Sequence, residues 1–384
     1  AYVVYAIVSS AEDFAVIVWW LPWVLSCVFN VTWLFFGLED FRRTTLISLV
    51  IKAVEFACIF IFVRSSADTW IYVALTAASY FFNQVLLWPI VKQYVDFVRP
   101  TASEIIGHFK PNALLFIPVV AISLYTTLNT VFLGAFSTAE QTAYFSYSEK
   151  LCKMPLTVIT ALTSVMLPRV SNAFAKGEKS ETLDLLETSM WFMTVMAFAL
   201  SFGIFAVAPE FAPVFLGDEF VDSVPVMELL AWIIPLICVS NVLGTQYLLP
   251  SFRDKLYTLT VCAGAVINII LCAFLIPRCG AMGAAVGAVA AEALVLLLQA
   301  TIVRKELPLG SYCLSAVPFL CIGFIMAFIV RLISPLLIDE FDLGALSLLF
   351  EVALSAFVYA GLSLAWCLFT RNKFLLRILG RNPS

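Results

Sequence analysis

The stretch LYTLTVCAGAVINIILCAFLIP, residues 256–277, contains no Asp, Glu, Lys or Arg over 22 consecutive positions. An α-helix rises about 1.5 Å per residue, so this run crosses roughly the 30 Å hydrocarbon core of a bilayer. Six more runs lack a formal charge: Phe14–Leu38, Thr69–Val91, Pro111–Ala139, Thr188–Pro209, Leu229–Phe252 and Leu307–Val330. Four others, Thr44–Val63, Leu151–Ala173, Gly280–Val303 and Leu343–Thr370, are interrupted by only one or two charges. The chain therefore reads as an all-α, polytopic helical membrane protein with about eleven complete spans plus one partial.

Composition agrees. Hydrophobic residues make up 62% and charged residues 12% of the 384 positions, and the mean hydropathy is +1.00. A soluble domain carries about 25% charged residues. The net charge of -4 says little, but its distribution is informative. Sixteen of the 22 Lys and Arg fall in alternate loops, among them Arg42 and Arg43, Lys92 to Lys110, Lys176 and Lys179, Arg253 and Lys255, Arg304 and Lys305, and Arg371 to Arg381. The intervening loops are acidic, with Glu12 and Asp13, then Glu210 to Asp222, then Asp339 to Asp342. The positive-inside rule places the basic loops and the C-terminus in the cytoplasm. Ala1–Ser10 is apolar but too short to span. With neither a basic n-region nor a cleavage site, it reads as the outer end of a helix whose beginning is missing.

Enzyme chemistry is poorly supplied. No GxxxxGK[ST], HExxH or GxSxG motif occurs, and no loop is long enough for a catalytic domain. The one histidine, His108, reads as a solvated residue of a cytoplasmic loop. Ten cysteines form no CxxC pair and read as small buried hydrophobes, so neither a metal nor a cofactor is expected.

Ionisable residues at membrane depth face a cavity or a partner. Lys52 and Glu55, three apart, share a helix face; they form either a structural pair or part of a cavity. Glu149 and Lys153 stand at i and i+4, the favourable order for an ion pair, which leaves Lys150 without an obvious neutraliser on its helix. Lys150 either faces a cavity, where it would suit an anionic headgroup, or snorkels to the interface. Glu292 and Glu351 are lone carboxylates within apolar helices, suited to a proton, a coupling cation or a hydrogen bond between helices. Arg331 reads as an interfacial anchor. Asn83, Gln84, Asn129, Asn241, Gln246 and Asn268 add uncharged polar groups, mostly as interhelical glue.

Three motifs carry a family resemblance. Residues 30–43, NVTWLFFGLEDFRR, have the Trp-Phe-Phe-x-Gly-x-Glu character that precedes basic residues in the fourth helix of Wzx-type polysaccharide flippases, within the multidrug/oligosaccharidyl-lipid/polysaccharide exporter superfamily. Ala143–Ala173, with Tyr144, Lys150, Pro155, Leu167, Pro168, Arg169 and Ser171, resembles a second signature of that family. Asn268–Glu292 resembles a third, and its Gly283 and Gly287 form a GxxxG suited to close helix approach.

The resemblance implies a MATE-like V of two six-helix bundles with an extra C-terminal helix pair. Residues 1–92 would be a truncated first bundle, 93–110 a cytoplasmic linker, 111–305 the second bundle, and 306–384 the extra pair with a basic tail. The first two helices and most of the third would be missing, and the truncated chain is expected to be inactive. The implied substrate is an undecaprenyl-diphosphate-linked oligosaccharide, moved by alternating access across the bacterial cytoplasmic membrane for capsule, exopolysaccharide or O-antigen synthesis. Membrane lipids, a polysaccharide polymerase and glycosyltransferases of the same pathway are the implied partners, with no nucleic acid. Lys150 is the first candidate for diphosphate contact, with Lys153 and Lys52 behind it. Trp33 and Phe35 would either stack on sugars or belong to an interfacial aromatic belt. Glu55, Glu149, Asn129, Asn268 and Glu292 are the candidates for ion coupling or cavity lining. At Asn129 many relatives carry an acid, so coupling through that position is in doubt. A cation-coupled multidrug exporter and a peptidoglycan lipid-precursor flippase are the alternatives.

Overall fold

Fourteen α-helices, two π-helical segments, one 3-10 turn and no strand are found among the described residues, which in this computed structural model are 11–65, 68–96, 98–341, 345–371 and 374. The expected partial helix at Ala1–Ser10, together with Asp342 and most of the basic tail, lies outside them. Among the described residues ten stretches are long and apolar enough to cross a membrane. The longest, Asp254–Val303, contains two helical arms broken at Gly280, which raises the crossings to the expected eleven. In hydrocarbon every backbone N–H and C=O must be bonded internally, and helices meet that demand within one segment.

The chain divides into two compact units, Ala1–Ile105 and Ile106–Ser384. In the first, α1 (Ala11–Val28) and α3 (Phe41–Phe62) both pack on α4 (Thr69–Val85). Two short helices, α2 (Thr32–Gly37) and α5 (Trp88–Val91), meet at one end through Val31, Phe35, Leu87 and Val91, all buried. The 30–43 motif is thus a structural corner. Glu39 takes a left-handed turn at φ 58°, and Asp40 pairs with Arg43 at 3.1 Å. Arg43 also lies over the Tyr94 ring.

The boundary falls in the first turn of α6 (Ala102–Phe136). This helix corrects the reading of His108 as a loop residue, since position 108 is helical. The signal is a capping box. Glu104 accepts from the Thr101 backbone N–H at 2.7 Å, and the Thr101 hydroxyl faces the Glu104 N–H at 3.4 Å.

In the second unit, α7 (Ala139–Lys153) gives way to α8 (Leu156–Lys176) at Pro155, which has no N–H to continue the ladder. Gly177, in the left-handed region at φ 74°, caps α8. The hub is α9 (Lys179–Phe211). It packs on α8, α10 (Val224–Leu230), α11 (Ile233–Leu243), α13 (Leu309–Phe341) and α14 (Ala345–Phe369). The C-terminal pair α13–α14 is therefore built onto α9; at Gly323 a side chain would overlap the Phe202 ring. The two arms of α12 (Asp254–Val303) fold back on each other through glycines. A Cβ at Gly283 would lie 2.6 Å from the Leu275 backbone, and one at Gly287 would lie 2.6 Å from Cys272 Sγ. The GxxxG pair thus packs one arm on the other, as its spacing suggests. At the bend, Gly280 has φ 52°, and the Gln141 side chain of α7 accepts from the Ala281 N–H at 2.8 Å.

Candidate functional site

Within the second unit a polar cavity of about 390 Å³ opens between α8, α11 and both arms of α12, closed on one side by Ile122 of α6. Its charged residues are Lys153 and Glu292. Its other polar lining comes from Thr157, Thr160, Ser240, Asn241, Thr245, Tyr257 and Gln299. Thr157 and Thr160 continue to Thr163 at a spacing of three, which lines one face of α8 with hydroxyls. Asn241 and Thr245 are four apart, and Glu292 and Gln299 are seven apart. Sequence reasoning reached Lys153, Glu292 and Asn241 but passed over the threonines and Gln299, whose periodicity was the available signal.

The cavity wall is held by two hydrogen-bond chains between helices. In one, the Ser189 hydroxyl donates to Gln246 Oε1 at 2.6 Å, the Gln246 amide donates to Asn241 Oδ1 at 3.3 Å, and Thr163 donates to the same oxygen at 2.8 Å. In the other, Ser240 donates to Gln299 Oε1 at 2.9 Å, and the Gln299 amide reaches Thr260 at 3.4 Å. The wall between them contains a π-helical turn, Gly244–Leu248, which carries Thr245 into the cavity. A Cβ at Gly244 would lie 2.7 Å from the Gln299 amide nitrogen and 2.9 Å from the Tyr257 ring, so a larger residue there would displace these two side chains. Such π segments recur at functional sites.

On the other side of the α7–α8 bend lies an apolar groove of about 520 Å³. Leu151 and Pro155, Ala199 and Gly203 of α9, and Val352 and Tyr359 of α14 are among its walls. The bend thus turns Lys153 and Thr157 to a polar space and Leu151 and Pro155 to an apolar one.

The remaining candidates take several roles. Lys153 is ion-paired with Glu149 at 2.7 Å, as its spacing suggested. Lys150 is exposed beside the Tyr147 ring, 5.6 Å from its centroid. In the first unit Lys52 contacts Glu55 at 2.7 Å and Ser79 donates to Glu55 at 2.6 Å, while the ammonium sits 4.7 Å from the Tyr80 centroid. This cluster joins α3 to α4. Trp33 is 69% exposed, but Phe35 is fully buried. Phe35 therefore has no face to offer a sugar in this conformation, because its ring fills the α2–α5 corner. Asn129 and Asn268 are buried, and both carboxamide oxygens face the Cys272 thiol, at 3.3 and 3.8 Å. They join α6 to α12 away from the cavity lining. Asn83 with Ser48 and Gln84 with Thr32 complete the interhelical set. All ten cysteines are free, four of them buried. Arg331 is more than an interfacial anchor. It pairs with Glu228, donates to the Phe205 carbonyl and stacks on the Phe205 ring.

Residues 11–174 match the family described as "Polysaccharide biosynthesis protein". A Shigella dysenteriae protein named "Putative O-antigen transporter" is 21% identical over 291 residues, covering 74% of this chain and 72% of its own. Its namesake from Escherichia coli K12 is 23% identical over 303 residues, covering 78% and 73%. Over these residues the chain is similar to proteins of polysaccharide synthesis and O-antigen transport. In fold, the chain resembles the lipid II flippase MurJ in its inward closed conformation, with a TM-score of 0.62 at 15% identity over 95% of this chain and 73% of that one. It is a multi-pass helical membrane protein of transporter type. Two of the motifs that carried the resemblance line the candidate site: Ala143–Ala173 forms the α7–α8 wall and Asn268–Glu292 the α12 hairpin.

Proposed function

We propose that this chain translocates an undecaprenyl-diphosphate-linked oligosaccharide across the bacterial cytoplasmic membrane for surface polysaccharide synthesis, by alternating access. The observation that carries this reading is the α7–α8 bend, where a cation-bearing polar cavity and an apolar groove share one wall. The substrate is an amphiphile of the same design. Its diphosphate needs a cation, its sugars need hydroxyl and amide partners, and its polyprenyl chain stays in an apolar environment. Lys153 lines the cavity and is the nearer candidate for the diphosphate, with the exposed Lys150 a few residues away as a capture site. Releasing Lys153 from Glu149 would be part of binding, because charge-assisted contacts to phosphate replace the ion pair. Lys52 and Trp33, in the first unit, stand behind these two. The basic loops face the cytoplasm in this reading, as does the C-terminus, and the polymerase and glycosyltransferases of the same pathway are the functional partners. The carboxylates Glu55 and Glu149 each hold a lysine at 2.7 Å, which favours an anionic headgroup over a cationic drug. The MurJ likeness keeps a peptidoglycan precursor as the second reading.

The test is deletion of the gene in its host, with undecaprenyl-diphosphate-linked oligosaccharide quantified in each leaflet alongside surface polymer. Complete repeat units trapped on the cytoplasmic side, with surface polymer lost and rescue by the wild-type gene but not by Lys153→Ala, are expected. Unchanged glycolipids with new sensitivity to cationic drugs would move the protein to the drug-exporter class. Arrested cell-wall growth with intact surface polymer would move it to the peptidoglycan reading.

A further inference from the structure

Where the C-terminal helix pair meets the hub helix, Ser334 of α13 lies between two carboxyl groups. Its Oγ is 2.8 Å from Glu210 Oε1 of α9 and in hydrogen-bond contact with Glu351 Oε1 of α14. A serine hydroxyl has one proton to donate. It satisfies one carboxylate; toward the other it can only accept, so that carboxyl must itself carry a proton. Glu351 is 1% exposed, and neither its Oε2 nor that of Glu210 has a hydrogen-bond partner among the described residues. Two ionised carboxylates in that position would face each other across a single hydroxyl without a cation.

Among the described residues the surroundings supply no neutraliser. On α13 the nearest charge is Arg331, one turn before Ser334; its Nη2 is committed to Glu228 of α10 and to the Phe205 carbonyl, and its buried Nε has no partner among the described residues, so it bonds neither Glu210 nor Glu351. The π-helical turn Ala212–Leu216, which follows Glu210, has no titratable side chain, and Glu351 is the one charged residue of α14. The other titratable groups of α14, Tyr359 and Cys367, lie two or more turns further on. Three carboxylates and one guanidinium therefore meet here, and one carboxylate–guanidinium pair is internally neutral.

We propose that Glu210 and Glu351, bridged by Ser334, form a proton-binding site that holds one shared proton and fastens the C-terminal helix pair to α9. Because α9 and α14 also wall the apolar groove, loss of the proton loosens a wall of that groove. The site stands apart from Lys153 and does not depend on which substrate the chain carries.

The test is infrared difference spectroscopy of the full chain in lipid nanodiscs, titrated from acid to alkaline pH, with wild type, Glu351→Gln and Glu210→Gln compared. Each glutamine is isosteric and brings its own N–H donor, so folding is retained and the extra proton is no longer needed. The expected result is a protonated-carboxyl C=O band in the wild type that disappears as pH rises and is missing from both variants. Should one variant fail to fold, the other still decides. A band that persists in a folded variant would assign the proton elsewhere and overturn the proposal, as would absence of the band from the wild type at every pH. Repeating the titration with sodium replaced by choline guards against a metal cation, because a sodium-dependent band also overturns the reading.

Discussion

Replacing Gly283 by alanine tests the closest contact in the α12 hairpin. The new Cβ would sit 2.6 Å from both the carbonyl carbon and oxygen of Leu275, and 2.9 Å from the Ile276 nitrogen. Ordinary contact begins near 3.4 Å, so one arm of α12 must move by close to 1 Å, and the obstacle is backbone rather than a side chain that can rotate away. Overpacking of this kind costs about 1–3 kcal/mol. Alanine is better than glycine in a helix by about 1 kcal/mol, which offsets part of the cost. Because the obstacle is backbone, the upper part of that range, about 2–3 kcal/mol, applies, and the net expectation after the offset is a loss of about 1–2 kcal/mol, or roughly a 5- to 30-fold shift toward the unfolded state. Gly361→Ala is the control, since a Cβ there meets nothing within 4 Å. Its sign should be opposite, with a gain of up to about 1 kcal/mol from helix propensity alone. Reversible unfolding in mixed micelles, read by tryptophan fluorescence, measures both. If Gly283→Ala is as stable as wild type, or if both substitutions shift stability in the same direction, the glycine-packed hairpin is wrong.

Lys153→Ala should abolish rescue of surface polymer while leaving the protein folded and membrane-inserted; full rescue would remove Lys153 from the substrate path. A double-mutant cycle of Lys52→Met and Glu55→Gln should give a coupling of about 1 kcal/mol, because the two groups are in contact and Glu55 also accepts from Ser79 of α4. A coupling near zero would mean the two charges are screened from each other. Outside the spans, Glu306 is held below the usual carboxylate range by the Tyr247 hydroxyl and then by Arg253, which lies 2.9 Å away. A carboxyl held low contributes stability that is present at neutral pH and lost as pH falls through its folded value. Glu306→Gln should therefore cost about 0.5–1 kcal/mol at pH 7 and nothing in strong acid, as read by thermal unfolding across pH. An undiminished difference in acid would show that shape rather than charge is responsible.

The crossings of this chain were legible in its sequence because a bilayer imposes a length and a polarity on every segment that spans it. Runs such as 256–277 satisfy both without reference to any neighbour. Pairs three or four residues apart were legible for a similar reason: helix geometry alone brings Lys52 to Glu55 and Glu149 to Lys153. The GxxxG of α12 announced a close approach, though its partner, the preceding arm of the same hairpin, emerged from packing. Phe35 belongs to the opposite case. An aromatic residue in a family signature looks available for a sugar, yet the corner of α2 and α5 consumes it. The start of α6 lay between, since its Thr101–Glu104 box was written in the sequence and was outweighed by the charge of the surrounding segment.

What sequence could not convey was which polar groups from distant segments converge. Thr157, Ser240, Thr245 and Gln299 are inconspicuous along the chain and become one surface only when α8, α11 and α12 pack together. Glu210, Ser334 and Glu351 are likewise separated by 124 and 17 residues, and no local rule links them. The sequence by itself determined where the chain enters and leaves the membrane, because that depends on transfer of each segment between water and lipid. The tertiary structure decided which cations, carboxylates and hydroxyls share a space, because between helices already inserted in lipid, position is set by side-chain packing and by the need to satisfy each buried polar group.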